Sequence, residues 1–289
     1  GRLTSALGGD AFAAQHVLLH MLSRVRTRSA MMTVGTFSLN IFGFKHFPAP
    51  LLDTVRSLMT RVAKVNMSIE HLNSKRFAPV KDYEMNRLLT GPFQLVDGTY
   101  IVCDETVMDK GKLNDNGCKN LRSIQRLGNE QKVMYDFQYH EMEWNVDAPL
   151  LIVSDGRSIV KSTVFMPLCA KFPLGQGSDQ PSQESAVPED VLNLVREYLS
   201  IARYAPLNIP PSVASQIEQS FVQARMLNSK VTAHNMHLWL CMARLLALSH
   251  GETELTTERW EESQKMEQTR RTRVSEVTGT NTLPPAKSP

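Results

Sequence analysis

Two short apolar segments that each end in polar residues constrain the fold more than any other feature of this chain. Residues 99–105 read TYIVCDE and residues 148–155 read APLLIVSD. A run that is apolar throughout is typical of a strand buried on both faces of a parallel sheet. Sites of open α/β sheets lie at the carboxyl ends of such strands, which makes Asp104 and Glu105 candidate site residues. The sequence therefore predicts an open α/β sheet.

The rest of the first 174 residues alternates between helical and extended patterns. Apolar residues at 3.6-residue spacing predict helices, and Asp10 is placed to cap the first of them. Period-two alternation predicts further strands. The predicted helices cover residues 10–26, 49–63 and 121–131, and the predicted strands or hairpins cover residues 36–42, 65–73, 99–105, 132–144 and 149–155. This alternation favours an α/β domain over residues 1–174.

The composition changes sharply after this region. Residues 175–190 read GQGSDQPSQESAVPED, which contains almost no large apolar residue and predicts a mobile linker. Residues 191–267 carry helical patterns only, punctuated by prolines and by threonines at cap positions. Residues 268–289 lack periodic apolar residues and predict a disordered tail. An α/β core followed by a helical lid resembles the layout of an AAA+ ATPase module.

Charge and cysteine content exclude several classes of protein. The net charge of +3 over 289 residues gives little support for direct nucleic-acid binding. The sequence contains no apolar run long enough for a membrane-spanning helix. The four cysteines are scattered, which favours free thiols in a reducing compartment over a disulfide framework or a zinc cluster. Because the first residue is Gly1 rather than Met, we expect the chain to be a fragment.

A glycine turn opens the first predicted helix. Residues 8–19 read GGDAFAAQHVLL, and a glycine turn before a helix is one way in which proteins bind phosphate. The lysine and the Ser or Thr that such a loop needs are absent. The segment is therefore a nucleotide site that has lost its function or an ordinary helix cap.

Several longer motifs carry a resemblance to a known family. They include LGGDAFAAQHVLLHMLSRV, FAPVKDYEMNRLLTGPFQL, GTYIVCDET, GKLNDNG, QKVMYDFQYHEMEW, IVSDGRS and ERWEESQKMEQTRRTR, in order from about residue 7 to residue 273. These segments resemble the C-terminal portion of the mini-chromosome maintenance (MCM) complex-binding protein family. The resemblance implies a nuclear, non-catalytic protein that binds MCM helicase subunits in DNA replication. It further implies a role in handling or unloading the complex from chromatin and in sister-chromatid cohesion during the cell cycle and mitosis.

The family is itself similar to the ATPase half of MCM subunits, and this comparison implies a degenerate AAA+-like α/β domain followed by an all-helical, lid-like bundle. The MCM phosphate loop has the form G-D-P-x-T-A-K-S, onto which residues 9–16 were matched. In this match Gln15 replaces the lysine and His16 replaces the serine that holds magnesium. The lid arginine corresponds to His234, and the segment after IVSDG is too short for the usual arginine finger. The vestigial positions are Gly9, Asp10, Gln15, His16, Asp104, Glu105 and His234.

These losses predict no catalytic residue, no cofactor and no metal ion. The alternative is a residual nucleotide-binding AAA+-type NTPase, against which the missing lysine counts strongly. Direct DNA binding is a further alternative with poor support from charge. Chromatin association is therefore expected to be indirect.

Four other groups of residues have both a structural and a functional interpretation. His16 and His20 have the i, i+4 spacing of a zinc pair, but a structural role is favoured because no acidic partner accompanies them. Glu141 and Glu143 lie on one face of a strand, which is more often solvated than catalytic. Ser154 lacks a nucleophile-elbow pattern. The arginine run at residues 270–273 is either a nuclear-localisation element or a solvated helix end.

Overall fold

The computed structural model describes residues 1–29, 32–173, 187–229 and 231–279. The packing divides these residues into two compact units. The first unit contains Gly1–Ala14 and Arg24–Val187, and the second contains Gln15–Ser23 together with the described part of Pro188–Pro289. Residues 15–23 therefore group with the C-terminal helices rather than with the α/β domain in which the sequence analysis placed them.

Helices and strands alternate in the first unit, as the sequence predicts. The helices are α1 (Arg2–Ala6), α2 (Ala11–Leu22, shared between the units), α3 (Ala49–Leu58), α4 (Ile69–Ser74) and α5 (Asp115–Glu130). The strands are β1 (Thr27–Arg28), β2 (Thr33–Val34), β3 (Leu39–Phe42), β4 (Val62–Asn66), β5 (Val80–Asp82), β6 (Arg87–Leu89), β7 (Tyr100–Asp104), β8 (Lys132–Asp136), β9 (Glu141–Asn145), β10 (Leu150–Ser154) and β11 (Val164–Pro167).

A parallel five-stranded sheet forms the centre of the first unit. Its strand order is β11-β3-β10-β7-β4, and every neighbouring pair is parallel. All residues of β3, β7 and β10 are buried. The two apolar segments at 99–105 and 148–155 are thus adjacent central strands, which confirms the predicted α/β class with a parallel sheet.

A smaller sheet lies in the same unit, with the order β6-β5-β8-β9. Strands β8 and β9 form an antiparallel hairpin, which is one of the two alternatives (strand or hairpin) that the sequence predicts for residues 132–144. Every residue of β9 is exposed, whereas Val133 of β8 is buried in the core. The hairpin thus anchors one strand in the core and leaves the other at the edge of the sheet. Strands β1 and β2 form a separate antiparallel pair.

The second unit consists of helices. They are α6 (Glu189–Tyr204), α7 (Pro211–Leu227), α8 (Ala233–Ser249) and α9 (Thr257–Thr278), together with the C-terminal part of α2. Helices α6, α7 and α8 and the first half of α9 occupy segments in which the sequence predicts a helix. The apolar faces of α7, α8 and α9 meet in a core that includes Ile217, Trp239, Ala243 and Trp260. The helical C-terminal region is therefore confirmed.

Three predicted elements end earlier than the sequence pattern indicates. The helix predicted over residues 10–26 ends at Leu22. The predicted helix over residues 49–63 ends at Leu58, and β4 begins at Val62. The strand predicted over residues 65–73 ends at Asn66, because Ser68 caps a new helix by accepting the backbone N–H of His71 at 3.2 Å. A short helix thus occupies the second half of that predicted strand.

The prediction of disorder from residue 268 is wrong for residues 268–278, which form the last turns of α9. Glu267 binds Arg270 and Arg271 through ion pairs of 2.7 Å one helical turn away, and Val274 is buried. Local ion pairs and the buried side chains of Arg270 and Val274 stabilise a segment whose composition alone indicates disorder. Residues 280–289 lie outside the described residues.

The predicted linker falls mostly on residues 174–186, which lie outside the described residues. Its last two residues, Glu189 and Asp190, form the first turn of α6. Within the described parts of the chain, no helix is both long and apolar enough to cross a membrane.

Candidate functional site

The carboxyl edge of the parallel sheet gathers polar side chains from several strands. Asp104 ends β7 and pairs in register with Asn66 of β4 and Val153 of β10. Glu105 follows directly, and both carboxylates are buried. This is the edge at which open α/β sheets bind ligands. Asp104 and Glu105 are therefore placed where the sequence predicts a site.

Asp104 is held by a lysine of the neighbouring strand. The Nζ atom of Lys64 lies 2.8 Å from Oδ2 of Asp104, and the other carboxylate oxygen accepts hydrogen bonds from the backbone N–H and the hydroxyl of Thr106. The same ammonium lies 3.8 Å from the ring centroid of Phe47. Lys64 is thus engaged by a carboxylate and by an aromatic face.

Glu105 fixes the loop that follows β10. Its carboxylate accepts hydrogen bonds from the hydroxyl of Ser158 and from the backbone N–H of Ile159, the latter at 3.0 Å. Burial raises the pKa of Glu105, and the two hydrogen bonds act in the opposite direction. The carboxylate therefore ties the end of β7 to residues 158–159.

Asn40 joins the same network from β3. Its Nδ2 group donates to the backbone oxygen of Ile152 at 3.2 Å and to Oγ of Ser154 at 2.8 Å, and its Oδ1 accepts the backbone N–H of Ser158. Ser154 is buried and accepts a hydrogen bond from an amide. A serine in this position fixes neighbouring strands, which agrees with the structural interpretation of Ser154.

The loop between β3 and α3 has the strand–loop–helix context of a phosphate-binding loop. It begins at Gly43, whose φ of +107° requires glycine, and it carries Lys45 and His46 on the surface. The N–H of Gly43 contacts the backbone oxygens of Ser154 and Asp155 at 3.0 and 2.8 Å, and the N–H of Phe44 donates to Ser154 at 3.0 Å. The first two amides of this loop are therefore bonded to the chain itself.

The glycine turn at residues 8–9 has a different context. It connects α1 to α2, so no strand of the sheet precedes it. Gly8 and Gly9 have φ values of +64° and +85°, and a Cβ atom on Gly8 would lie 2.7 Å from Cβ of Ala170. This segment thus lacks the context that phosphate loops require, which corrects the basis of the match at residues 9–16. Close packing against residues 170–172 explains both glycines.

Asp10 caps α2, as the sequence predicts. One carboxylate oxygen accepts the backbone N–H groups of Phe12 and Ala13 at 3.1 Å, and the other accepts the N–H of Cys169 at 2.9 Å. Asp10 is buried, and these hydrogen bonds cap the helix and tie it to the segment after β11. The helix-cap interpretation of residues 8–19 therefore fits the local structure.

The other residues assigned to a degenerate nucleotide site, Gln15, His16 and His234, belong to the second unit. Gln15 and His16 lie on α2, and His16 and His20 are both buried. His234 lies exposed in the first turn of α8. Among the residues that the structure describes, no group of three His, Cys, Asp or Glu side chains could hold a metal ion.

The sequence analysis missed Lys64, Phe47, Asn40 and Ser158 as members of this edge network. One signal was available for the loop, since Gly43 directly follows a predicted strand and Pro48 precedes a predicted helix. The pairing of Lys64 with Asp104 had no such signal. It depends on β4 and β7 being neighbours in the sheet, although residues 67–99 separate the two strands in the chain.

We expect the Glu105→Gln variant to lose a pH-dependent component of stability. Burial raises the pKa of Glu105 above the value of 4.5 for an exposed glutamate, so the folded chain binds a proton that the unfolded chain releases. The contribution of Glu105 to the free energy of unfolding should therefore fall as pH rises from 4.5 through the raised pKa. Urea unfolding of both proteins across this pH range measures that contribution. A difference in unfolding free energy that does not change with pH would contradict the expectation.

Comparisons with known proteins show where this chain belongs. Curated relatives named mini-chromosome maintenance complex-binding protein include those of Gallus gallus and Homo sapiens, each 36% identical over 281 residues. Both alignments cover 96% of this chain and 44% of the relative. The Arabidopsis thaliana relative is 35% identical over 277 residues, 94% of this chain and 46% of its own length. The chain thus spans less than half the length of these relatives.

The family model gives the same result over nearly the whole chain. It is described as a mini-chromosome maintenance replisome factor and matches residues 1–274. That range includes the parallel sheet, its polar edge and α6–α8 in full. The chain therefore belongs to the mini-chromosome maintenance replisome factor family.

Proposed function

We propose that this chain is a non-catalytic module that binds MCM helicase subunits in DNA replication. One observation carries the proposal. In a member of this family, the polar side chains at the carboxyl edge of the sheet are bonded to other groups of the same chain. The names of the relatives state that they bind the MCM complex. The polar edge supports the non-catalytic part, because Lys64 pairs with Asp104 and the carboxylate of Glu105 accepts a hydrogen bond from the hydroxyl of Ser158 within the fold.

The fold supports an AAA+-like frame for this module. An open parallel sheet is followed in the chain by helices α6–α9, which is the layout of an ATPase core with its lid. A module of this kind would dock beside an MCM subunit as another subunit does, without completing a nucleotide site. Such docking favours open or partial MCM assemblies.

The same proposal includes a role for the protein on chromatin. A protein that competes for an MCM neighbour would act in unloading of the complex from chromatin and would support sister-chromatid cohesion. It would act in the nucleus and reach chromatin through MCM subunits rather than through DNA. The net charge of +3 supports indirect association, because direct DNA binding relies on many cationic contacts to phosphate.

We expect the chain to bind no ATP and to hydrolyse none. In the loop after β3, the N–H groups of Gly43 and Phe44 are bonded to backbone oxygens, and Lys64 is paired with Asp104. A titration with a fluorescent ATP analogue and magnesium should therefore show no saturable binding. Magnesium-dependent turnover that Glu105→Gln abolishes would establish the NTPase alternative instead.

Binding to MCM subunits tests the central proposal. We expect the purified chain to retain one or more purified MCM subunits in a pull-down. If docking uses the polar edge, charge reversals at the exposed residues Lys45 and Arg157 should weaken retention about tenfold, since charged residues at an interface set specificity. Lys265→Glu on α9 is the matched control and should leave retention unchanged. Full retention by the Lys45→Glu, Arg157→Glu variant would exclude docking at this edge, and no retention of any subunit by the unaltered chain would exclude the proposal.

A further inference from the structure

Helix α6 presents an apolar stripe to solvent. The stripe consists of Val191, Leu194, Val195, Tyr198 and Ile201. Leu194 is 65% exposed and Ile201 is 63% exposed, although both are large aliphatic side chains. Single exposed apolar residues are common on protein surfaces, but a contiguous row along one helix marks an interaction site.

The side of α6 that adjoins the stripe packs into the helical unit, and Tyr198 lies on the border between the two sides. Leu192, Leu199 and Ala202 are buried there, and the hydroxyl of Tyr198 donates to the backbone oxygens of Leu248 at 3.2 Å and Ser249 at 2.7 Å. These contacts fix the rotation of α6 about its axis. The α6 stripe therefore points to solvent in a defined orientation.

The spacing of the stripe is that of a helix–helix seam. Val191, Leu194, Tyr198 and Ile201 follow one another at intervals of three, four and three residues, which are positions a and d of a heptad. A partner that fills such a seam is a second helix with apolar residues at the same intervals.

The charges beside the stripe indicate which charge the partner helix should carry. Asp190 and Glu197 occupy the g positions that flank the seam, and both are exposed. Within the part of the chain that the structure describes, Arg196 of the same helix pairs with Glu189, and neither Asp190 nor Glu197 forms an ion pair. The acidic rim therefore complements a helix with lysine or arginine along its facing edge.

The same rim disfavours a second copy of this chain as the occupant. In an antiparallel two-fold pairing of α6 with a second α6, the acidic rim of one copy faces the acidic rim of the other. Asp190 of one copy would then face Glu197 of the other, and juxtaposed like charges oppose binding.

We propose that the α6 stripe is the docking site for a basic amphipathic helix of a partner protein. The helix lies along Leu194, Tyr198 and Ile201, and its cations face Asp190 and Glu197. This assignment does not depend on MCM binding, since it follows from the surface of α6 alone.

Two synthetic helical peptides test the assignment. Both carry leucine at positions a and d, and one carries lysine at e and g where the other carries glutamate. We expect fluorescence anisotropy to show the lysine peptide binding the 289-residue chain about tenfold more tightly than the glutamate peptide. Leu194→Asp should weaken the lysine peptide about tenfold, because it places a charge in the seam.

A charge reversal separates this docking site from general attraction of cations. The Asp190→Lys, Glu197→Lys variant should bind the glutamate peptide more tightly than the lysine peptide. Ser200→Lys, on the exposed side of α6 away from the stripe, is the matched control and should leave the preference unchanged. Equal binding of both peptides, no saturable binding of either, or a preference that the charge reversal leaves intact would overturn the proposal. Self-association of the chain that Leu194→Asp abolishes would assign the stripe to a second copy instead.

Discussion

Truncation of the chain after residue 267 is expected to lower the free energy of unfolding of the helical unit by about 4 kcal/mol. The truncation removes Arg270, which is 7% exposed, and Val274, which is 2% exposed. It also leaves the carboxylate of Glu267 without the guanidinium groups that it binds at 2.7 Å. Urea unfolding followed by far-UV circular dichroism measures the loss.

Truncation after residue 279 is the matched control, since it keeps all of α9. We expect this shorter truncation to unfold at the same urea concentration as the 289-residue chain. If the chain truncated after residue 267 also unfolds at the same urea concentration as the 289-residue chain, the last turns of α9 contribute nothing to stability. The structural account of the segment would then be wrong.

The same ion pairs predict an acid dependence. Burial raises the pKa of Glu267, but Arg270 and Arg271 outweigh burial and hold its pKa below the ordinary value of 4.5. A lowered pKa means that the contribution to stability is present above pH 4.5 and is lost as pH falls through the folded-state value. Glu267→Gln should remove this dependence, so its stability difference from the unaltered chain should shrink in acid.

Replacement of Lys64 by methionine is expected to lower the free energy of unfolding of the α/β unit by about 3 kcal/mol. Asp104 is fully buried, and the ammonium of Lys64 lies 2.8 Å from its Oδ2 atom. Methionine preserves most of the length of the lysine side chain and removes its charge, which leaves a buried carboxylate uncompensated. Removal of one partner of a buried pair costs more than removal of both.

The double variant Lys64→Met, Asp104→Asn distinguishes loss of the pair from loss of packing. It should recover about half of the stability that Lys64→Met loses, because no unpaired charge remains. Lys110→Met, at an exposed lysine, is the matched control and should change stability by less than about 0.5 kcal/mol. A double variant as unstable as Lys64→Met would show that packing of the lysine stem dominates.

The local pattern of the sequence predicts much of the fold. The runs at 99–105 and 148–155 are apolar up to their polar carboxyl ends, which predicts two buried strands of a parallel sheet. Proline and threonine at helix starts, with 3.6-residue periodicity after them, located α6–α9. Long motifs identified the family, because their order and composition recur over most of the chain.

Boundaries were predicted less well, since the competing signals there are weak. Residues 65–73 alternate as a strand does, yet one hydrogen bond from the backbone of His71 to Ser68 begins a helix within them. Residues 268–278 have few apolar residues, yet Val274 and Arg270 find buried positions. In both cases a few specific contacts outweigh the average character of the segment.

The sequence by itself determined the class of the fold, the helical C-terminal region, the family and the polar ends of the central strands. Only the tertiary structure decided the strand order β11-β3-β10-β7-β4, and with it that Lys64 binds Asp104 and that Asn40 reaches Ser154. The physical reason is that periodicity and composition record whether a residue is buried, which is a local property. Which buried strand lies beside which depends on packing between segments distant in the chain, and the ion pairs and hydrogen bonds at the sheet edge follow from that packing.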